Sequence, residues 1–354
     1  MPLVVGVPKE IKPMEGRIAL TPDAVSDLVS EGVAVWVQTS AGAMSGFDDQ
    51  AYVHAGANIA SDAADLYGKS QLIVKVKEPI AGDLPHLRAD HLLFCYLHLA
   101  PNPELTRALL EKQLTAIAFE TVEVNGRLPL LAPMSEIAGR VSVQAACHYL
   151  HGAMGGSGLL LGGVAGTQRG RVVVLGAGMA GKNAAQVAAS LGAEVLVFDK
   201  NTDALRDVER LSPLIKGLYM SVATLKEALP QTDLLIGAVL VPGARAPKLV
   251  TREMVRLMPR GSVIVDISID QGGCIETMRV TDYRSPTFVE EGVVHMGVAN
   301  LPGAVPKTST AALSGVISPY VQLLAHGRAE HNTPLQKGVN VRGGVIVHPA
   351  ILQN

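Results

Sequence analysis

The chain has 354 residues, 48% of them hydrophobic and 18% charged, with a formal net charge of −2. That length exceeds what one core usually serves, so two domains are expected, apolar enough for sheets covered on both faces by helices. A near-neutral balance without Lys/Arg clusters argues against nucleic-acid or membrane partners, and no apolar run reaches the roughly 18 residues of a spanning helix.

The expected partner is therefore a small molecule. The opening MPLVVGVPKEIK meets Pro8, Lys9 and Glu10 after a short apolar run, too little for a signal peptide. Beyond the strand-like LVVGVPKE, Thr21 is placed to N-cap a helix that has Pro22 at its first position and Gly32 as terminator. Strand-like runs follow at VAVWVQT, QLIVKVK, HLLFCYLHL and TAIAFETV, with helix-compatible segments such as NPELTRALLEKQ between them. This alternation predicts a parallel sheet.

In LIVKVKEP, residues 72–79, alternation puts Ile73, Lys75 and Lys77 on one strand face. Two readings fit the segment: an edge strand with solvated lysines, or a lysine serving a site. Next, LPLLAPMSEIAGRVSVQAACHYLHGA is punctuated by Pro129 and Pro133, with Ser135 able to help start a long helix. A domain boundary is expected near residue 130. A second βα series opens at RVVVLGAGMAG and continues through TDLLIGAVL, SVIVDISID and VVHMGVAN. After Asn300 the reading is a loop and then a helix broken or kinked by Pro319. The three cysteines, Cys95, Cys147 and Cys274, lack C-x-x-C spacing, which points away from disulfides and zinc and toward a reducing cytoplasm.

GAGMAG, residues 176–181, follows the strand RVVVL and opens a helix, as a dinucleotide fingerprint requires. Gly176 permits the tight turn, Gly178 lets a pyrophosphate approach the backbone, and Gly181 lets helix and strand pack closely. The helix N-terminus offers N–H groups and a positive dipole to the diphosphate. About 20 residues on, AEVLVFD ends at Asp199, whose carboxylate can accept both ribose hydroxyls and repels a 2′-phosphate. NAD is thus favoured over NADP, a preference that the neighbouring Lys200 weakens.

A nicotinamide cofactor needs a substrate carbon that exchanges hydride, and groups that hold a carboxylate and move a proton. Arg17, in the loop before the Thr21 cap, can grip a carboxylate bidentately, although such an arginine taken alone reads as solvated surface. His98 shares a predicted strand face with Phe94 and Tyr96 near the carboxyl end, where crevices of open α/β sheets lie; a structural histidine fits equally. Lys77 ends the preceding predicted strand, so the two side chains can meet. In VDISIDQGG the predicted strand ends at Asp270, with Asp266 on the same face, and helix capping is its alternative role.

Taken in order, GVPKEIK, EGRIALTP, VKVKEP, YLHLA, LPLLAPMSEIAGR, GAGMAG, LIGAVLVPG, VDISIDQGGC and VPKTST cover nearly the whole chain. In these motifs it resembles the bacterial alanine dehydrogenase family, which is related to the nucleotide-binding part of proton-translocating transhydrogenase. The resemblance implies an α/β fold of two doubly wound parallel-sheet domains, one a Rossmann domain. Residues 1–130 plus 308–354 would form a discontinuous substrate domain and 131–307 the NAD-binding domain. It further implies reversible NAD-dependent deamination of L-alanine to pyruvate and ammonium by a cytoplasmic homohexamer.

Matched position by position, Arg17 looks like the carboxylate-binding arginine, Lys77 like the lysine at the substrate oxygen and His98 like the proton-transfer residue. Asp270 matches the acidic residue near the nicotinamide. Lys77 is expected to face a cleft between the domains, with Lys75 deeper or more solvated on the same side. For the cofactor the resemblance implies Met134 and Ser135, then Met179 and Ala180 beside the fingerprint glycines. It adds Ser221, Val239, Leu240, Ile267 and Asn300; the loop VANLPG carries Leu301 where the family more often has methionine. Open alternatives are a dehydrogenase of another amino acid such as lysine, a transhydrogenase-like subunit, and a nucleotide-sensing module without turnover.

Overall fold

The computed structural model describes residues 2–239 and 246–352, which divide into two compact units: Met1–Met134 with Val305–Asn354, and Ser135–Ala304. In the first unit six parallel strands follow one another along the chain: β1 (Val5–Val7), β2 (Val35–Gln38), β3 (Asn58–Ala60), β4 (Leu72–Val74), β5 (Leu92–Cys95) and β6 (Thr115–Ala118). In the second lie β7 (Arg171–Leu175), β8 (Glu194–Asp199), β9 (Ile215–Tyr219), β10 (Leu234–Gly237), β11 (Val263–Asp266), β12 (Thr287–Glu290) and β13 (Val293–Met296). The chain then returns to the first unit with β14 (Val339–Arg342) and β15 (Val345–Ile346).

The first sheet runs β3-β2-β1-β4-β5-β6-β14-β15 and the second β9-β8-β7-β10-β11-β13-β12. Both are doubly wound, with the strand order reversing beside the first strand of the unit. Each is parallel except where its end is finished: β14 pairs antiparallel with β6 and β15, and β12 with β13. The two-domain α/β expectation therefore holds, with antiparallel strands added at one end of each sheet. Strands buried on both faces read as continuous apolar runs, as Val172–Leu175 and Leu234–Ile236 do.

Regular strands are shorter than their sequence signals. β4 stops at Val74, although Lys75 N–H still bonds Phe94 O (3.1 Å) and Tyr96 N–H bonds Val76 O (3.1 Å). It lies between β1 and β5, so the edge-strand reading of residues 72–79 fails. Likewise β5 stops at Cys95, leaving Tyr96 and His98 in the following loop. The helix expected to start with help from Ser135 begins at Ala132 and runs to Tyr149, taking Pro133 into its first turn, where its missing N–H costs nothing. The helix Pro306–Ala325 continues unbroken through Pro319. The residue four before it is Gly315, and Ser318 Oγ donates to Ser314 O at 2.6 Å. No helix among the described residues is long and apolar enough to cross a membrane.

Thr21 caps the helix Pro22–Ser30 as read, accepting from Ala24 N–H with Pro22 in the first turn. The loop before it is held by the returning helix: Ile18 N–H donates to Thr310 Oγ1 (3.0 Å) and Thr21 N–H to Ser314 Oγ (3.0 Å). Thr310 is buried, and its hydroxyl also meets Ser45 Oγ at 2.8 Å. Thr310→Val keeps the shape but orphans the buried Ile18 N–H, so urea unfolding should show a loss of about 1–3 kcal/mol. An unchanged midpoint would refute this account of the loop.

Candidate active site

In a sheet covered on both faces, side chains with chemistry collect where strands end. In the first unit, the loops after β1, β4, β5 and β6 leave the carboxyl edge on both sides of the β1/β4 reversal, the place where open α/β sheets hold ligands. These loops carry Arg17, Lys75, Lys77 and His98.

Arg17 is only 2% exposed, which overturns the solvated reading. Its Nε and Nη2 donate to the two oxygens of Glu15 at 2.7 and 2.5 Å, and its backbone N–H donates to Glu15 Oε1 at 3.0 Å. Nη1 points at Met134 Sδ, 3.2 Å away. Burial works against the guanidinium charge, but Glu15 outweighs it and raises the Arg17 pKa above the ordinary value. This two-point pairing fixes the plane of the guanidinium.

Lys75 is 1% exposed, deeper than Lys77 and not solvated. Its ammonium lies 3.1 Å from Asp83 Oδ1 and 3.4 Å from Glu10 Oε2. Burial disfavours the charge, yet Glu10 and Asp83 raise the pKa above that of an ordinary lysine. Asp83 also accepts from Tyr67 Oη and Ile80 N–H, and Glu10 Oε1 accepts from Val76 N–H (2.7 Å) and Lys77 N–H (3.3 Å). Lys75 is therefore the centre of a buried ionic brace. Lys77, 9% exposed, hangs from that brace by its backbone. Burial lifts the neighbouring Glu78 carboxyl, but Lys77 and Lys12 bring it below its ordinary range.

The His98 side chain is 44% exposed, and its ring stacks on Tyr96 with centroids 5.9 Å apart and planes 9° from parallel. Tyr96 Oη donates to Leu130 O at 2.6 Å. Burial pushes the Tyr96 phenol well up while the Arg17 charge pulls the other way. The carboxylates that organise this edge, Glu10, Glu15, Asp83 and Glu120, carry no motif that marks them as site residues. Only the close spacing of Glu15 and Arg17 within EGR offered a local signal.

In the second unit Gly176 has φ 104°, and a Cβ there would lie 2.5 Å from Ala238 O, so the turn after β7 packs directly on the turn after β10. A Cβ on Gly181 would collide with Gly176 O, whereas one on Gly178 meets nothing within 4 Å. Gly178 caps the helix Met179–Ser190 without a side-chain bond, leaving an open backbone cradle at a helix N-terminus. Met179 and Ala180 form its first turn. Asp199 ends β8 and accepts from Ala177 N–H (2.6 Å) and Asn201 N–H (2.8 Å). A carboxylate has about four lone-pair sites, so bracing this turn leaves it capacity for ribose hydroxyls. The cradle and acid together fit a dinucleotide.

The other expected contacts are scattered over the turns of this unit. Ser221 caps the helix Val222–Ala228 through Thr224 N–H, at 3.1 Å. Val239 N–H donates to Ser268 Oγ at 2.9 Å, linking the turns after β10 and β11; Leu240 lies outside the described residues. Asp270 does not end a strand. β11 stops at Asp266, and the exposed Asp270 sits in the 3-10 turn Ile267–Gln271 with Ile267. Asp266, by contrast, is buried and accepts from Ser268, Cys274 and Ile275 N–H at 2.8–3.2 Å. Burial lifts its pKa against those amides. Asn300 takes a left-handed φ of 65° in its turn, and Ser135 lies half-buried in the helix Ala132–Tyr149. No group of three His, Cys, Asp or Glu among the described residues could hold a metal.

Two family models match: the N-terminal domain of alanine dehydrogenase/PNT over residues 6–138 and the C-terminal domain over 142–349. An alanine dehydrogenase from Bacillus subtilis is 47% identical, covering 99% of this chain and 94% of that protein. A solved L-alanine dehydrogenase superposes with a TM-score of 0.95 at 48% identity, covering 99% of this chain and 98% of the other. A transhydrogenase structure from Sinorhizobium meliloti follows at 0.85 and 28%, covering 98% and 99%.

Removing one partner of a buried ionic brace strands the others. Lys75→Met should cost about 3–5 kcal/mol of stability in denaturant titration, and adding Glu10→Gln with Asp83→Asn should recover part of it. Wild-type stability in the single variant would contradict the brace.

Proposed function

The chain belongs to the alanine dehydrogenase/PNT family of dinucleotide-binding oxidoreductases, and we propose that it catalyses reversible NAD-dependent oxidative deamination of L-alanine to pyruvate and ammonium. What carries this reading is near-full-length identity of 47–48% to proteins named alanine dehydrogenase, against 28% to the transhydrogenase. In support, Arg17, Lys77 and His98 all leave the carboxyl edge of one sheet, beside its reversal point.

We assign substrate binding to the first unit and the cofactor mainly to the second, with Met134 added from the first. Arg17, its plane set by Glu15, holds the substrate carboxylate, and Lys77 donates to the substrate oxygen. NAD, when bound, supplies the acceptor for the hydride lost from the α-carbon. Hydrolysis of the resulting imine needs a proton moved between water and the departing amine. His98 performs that transfer, with Asp270 supporting the developing charge. Met134, Ser135, Gly176, Gly178, Met179, Ala180, Gly181, Asp199, Ser221, Val239, Leu240, Ile267, Asp270 and Asn300 form the proposed cofactor site. The assembly is proposed to be a cytoplasmic homohexamer, which sedimentation of the purified protein checks.

The decisive experiment follows NADH absorbance with a panel of amino acids. L-alanine should give the highest kcat/KM, and a preference for lysine or any larger substrate would overturn the assignment. His98→Ala should lower turnover by about 10²-fold or more while NAD affinity is retained. Unchanged turnover would remove His98 from the chemistry. Tighter binding of NADP than of NAD would defeat the role given to Asp199.

A further inference from the structure

His98 is held by its backbone in an unusual way. Its φ is 48°, in the left-handed region that non-glycine residues seldom enter. Glu120, in the 3-10 turn Phe119–Thr121 that follows β6, accepts the His98 N–H at Oε1, 2.6 Å away. The same carboxylate accepts the Leu97 N–H at both oxygens, 3.1 and 3.2 Å away. Oε1 also stands 3.9 Å from His98 Nδ1. Two consecutive amides on one carboxylate define a local direction for the chain, and bonds to a charged acceptor are about twice as strong as neutral ones.

Glu120 is in turn held by its surroundings. Phe119 packs edge-on against Tyr96 with centroids 5.0 Å apart, and Thr121 Oγ1 donates to Gly338 O and accepts from Asn340 Nδ2 on β14. The ring of Tyr96 stacks on the imidazole, and the amide clamp holds the backbone that carries it. The C-terminal segment contributes His348, whose pKa is lowered by burial, with the Glu120 charge acting the other way.

We propose that Glu120 is a positioning residue for His98: its carboxylate pins the Leu97–His98 turn in the left-handed conformation that presents the imidazole to substrate. The proposal rests on the proton-transfer role given to His98 above, and it predicts that geometry at the acceptor matters more than charge. Glu120→Ala removes the acceptor and should lower kcat for alanine by about tenfold or more, since small misplacements of a catalytic group are costly. KM for alanine should change by less than about threefold, because Arg17 and Lys77 are untouched. Glu120→Gln retains a carbonyl oxygen that can take the same amides and should restore kcat to within about threefold of the parent.

The outcomes separate cleanly when His98→Ala is assayed beside them. If His98→Ala is inactive while Glu120→Ala keeps the parental kcat, the pinning role is refuted and the role of His98 stands. Glu120→Gln as damaged as Glu120→Ala, with parental circular dichroism, also refutes it. An active His98→Ala refutes the underlying reading instead. Should Glu120→Ala fail to fold, Glu120→Asp carries the test, its acceptor withdrawn by one methylene. A lower kcat at unchanged KM supports the proposal, and an unchanged kcat overturns it.

Discussion

A parallel sheet covered on both faces leaves buried charged side chains one place to live, the loops at its strand ends, and even there each buried charge needs a fixed partner. The ammonium of Lys75 satisfies this rule by binding Glu10 and Asp83 at once. The same rule recurs around it: Glu15 closes on Arg17, Glu120 on the amides of Leu97 and His98, and Asp266 on three amides of the turn after β11. Burial raises the energy of each isolated charge by more than a marginally stable fold tolerates, so the partners are conditions of folding before they are features of a site. Pairing also removes freedom. A guanidinium clamped along one edge by Glu15 is held in one plane before any ligand arrives.

The parts of this structure that rest on local chemistry were legible in the chain. Thr21 and Pro22 open a helix because a hydroxyl and a missing N–H both suit its first turn, and the molecule uses them so. GAGMAG works through backbone conformation, and the positions that need φ above zero or close approach are written as glycine. Strand ends were less legible, because β-propensity continues through KVK and YLH after the regular ladder has ended. Two further ladder bonds, at Lys75 and Tyr96, show that the overreach was one of degree. Pro319 misled in the other direction: a helix packed along its length tolerates one missing bond when the residue four back is glycine.

What stayed hidden was pairing across long separations. Glu10 meets the amide of Val76 across 66 residues, and Glu120 meets His98 across 22. Nothing local distinguishes such a glutamate from a solvated one, since composition and periodicity report on neighbours along the chain. Arg17 taken alone reads as surface for the same reason, and only its family match points to a site. An arginine is buried only when its partner is known, and the partner's role depends on a loop held by the helix Pro306–Ala325 from the far end of the sequence.

That distant segment explains why the first unit is discontinuous. Without β14 the open side of β6 would present a row of unpaired amides and carbonyls, a template for aggregation. A short antiparallel strand from the C-terminal stretch covers it, with a register shift between Val339 and Val341. The shift falls where Asn340 turns its amide to Thr121 Oγ1 and to Gly338 O, so the irregular pairing buttresses the turn that carries Glu120. Asn340 thereby adds a lateral bond to that turn beside the one Thr121 makes to Gly338 O. Through Thr121 and the neighbouring Glu120, the last fifty residues of the chain are linked to the backbone of His98.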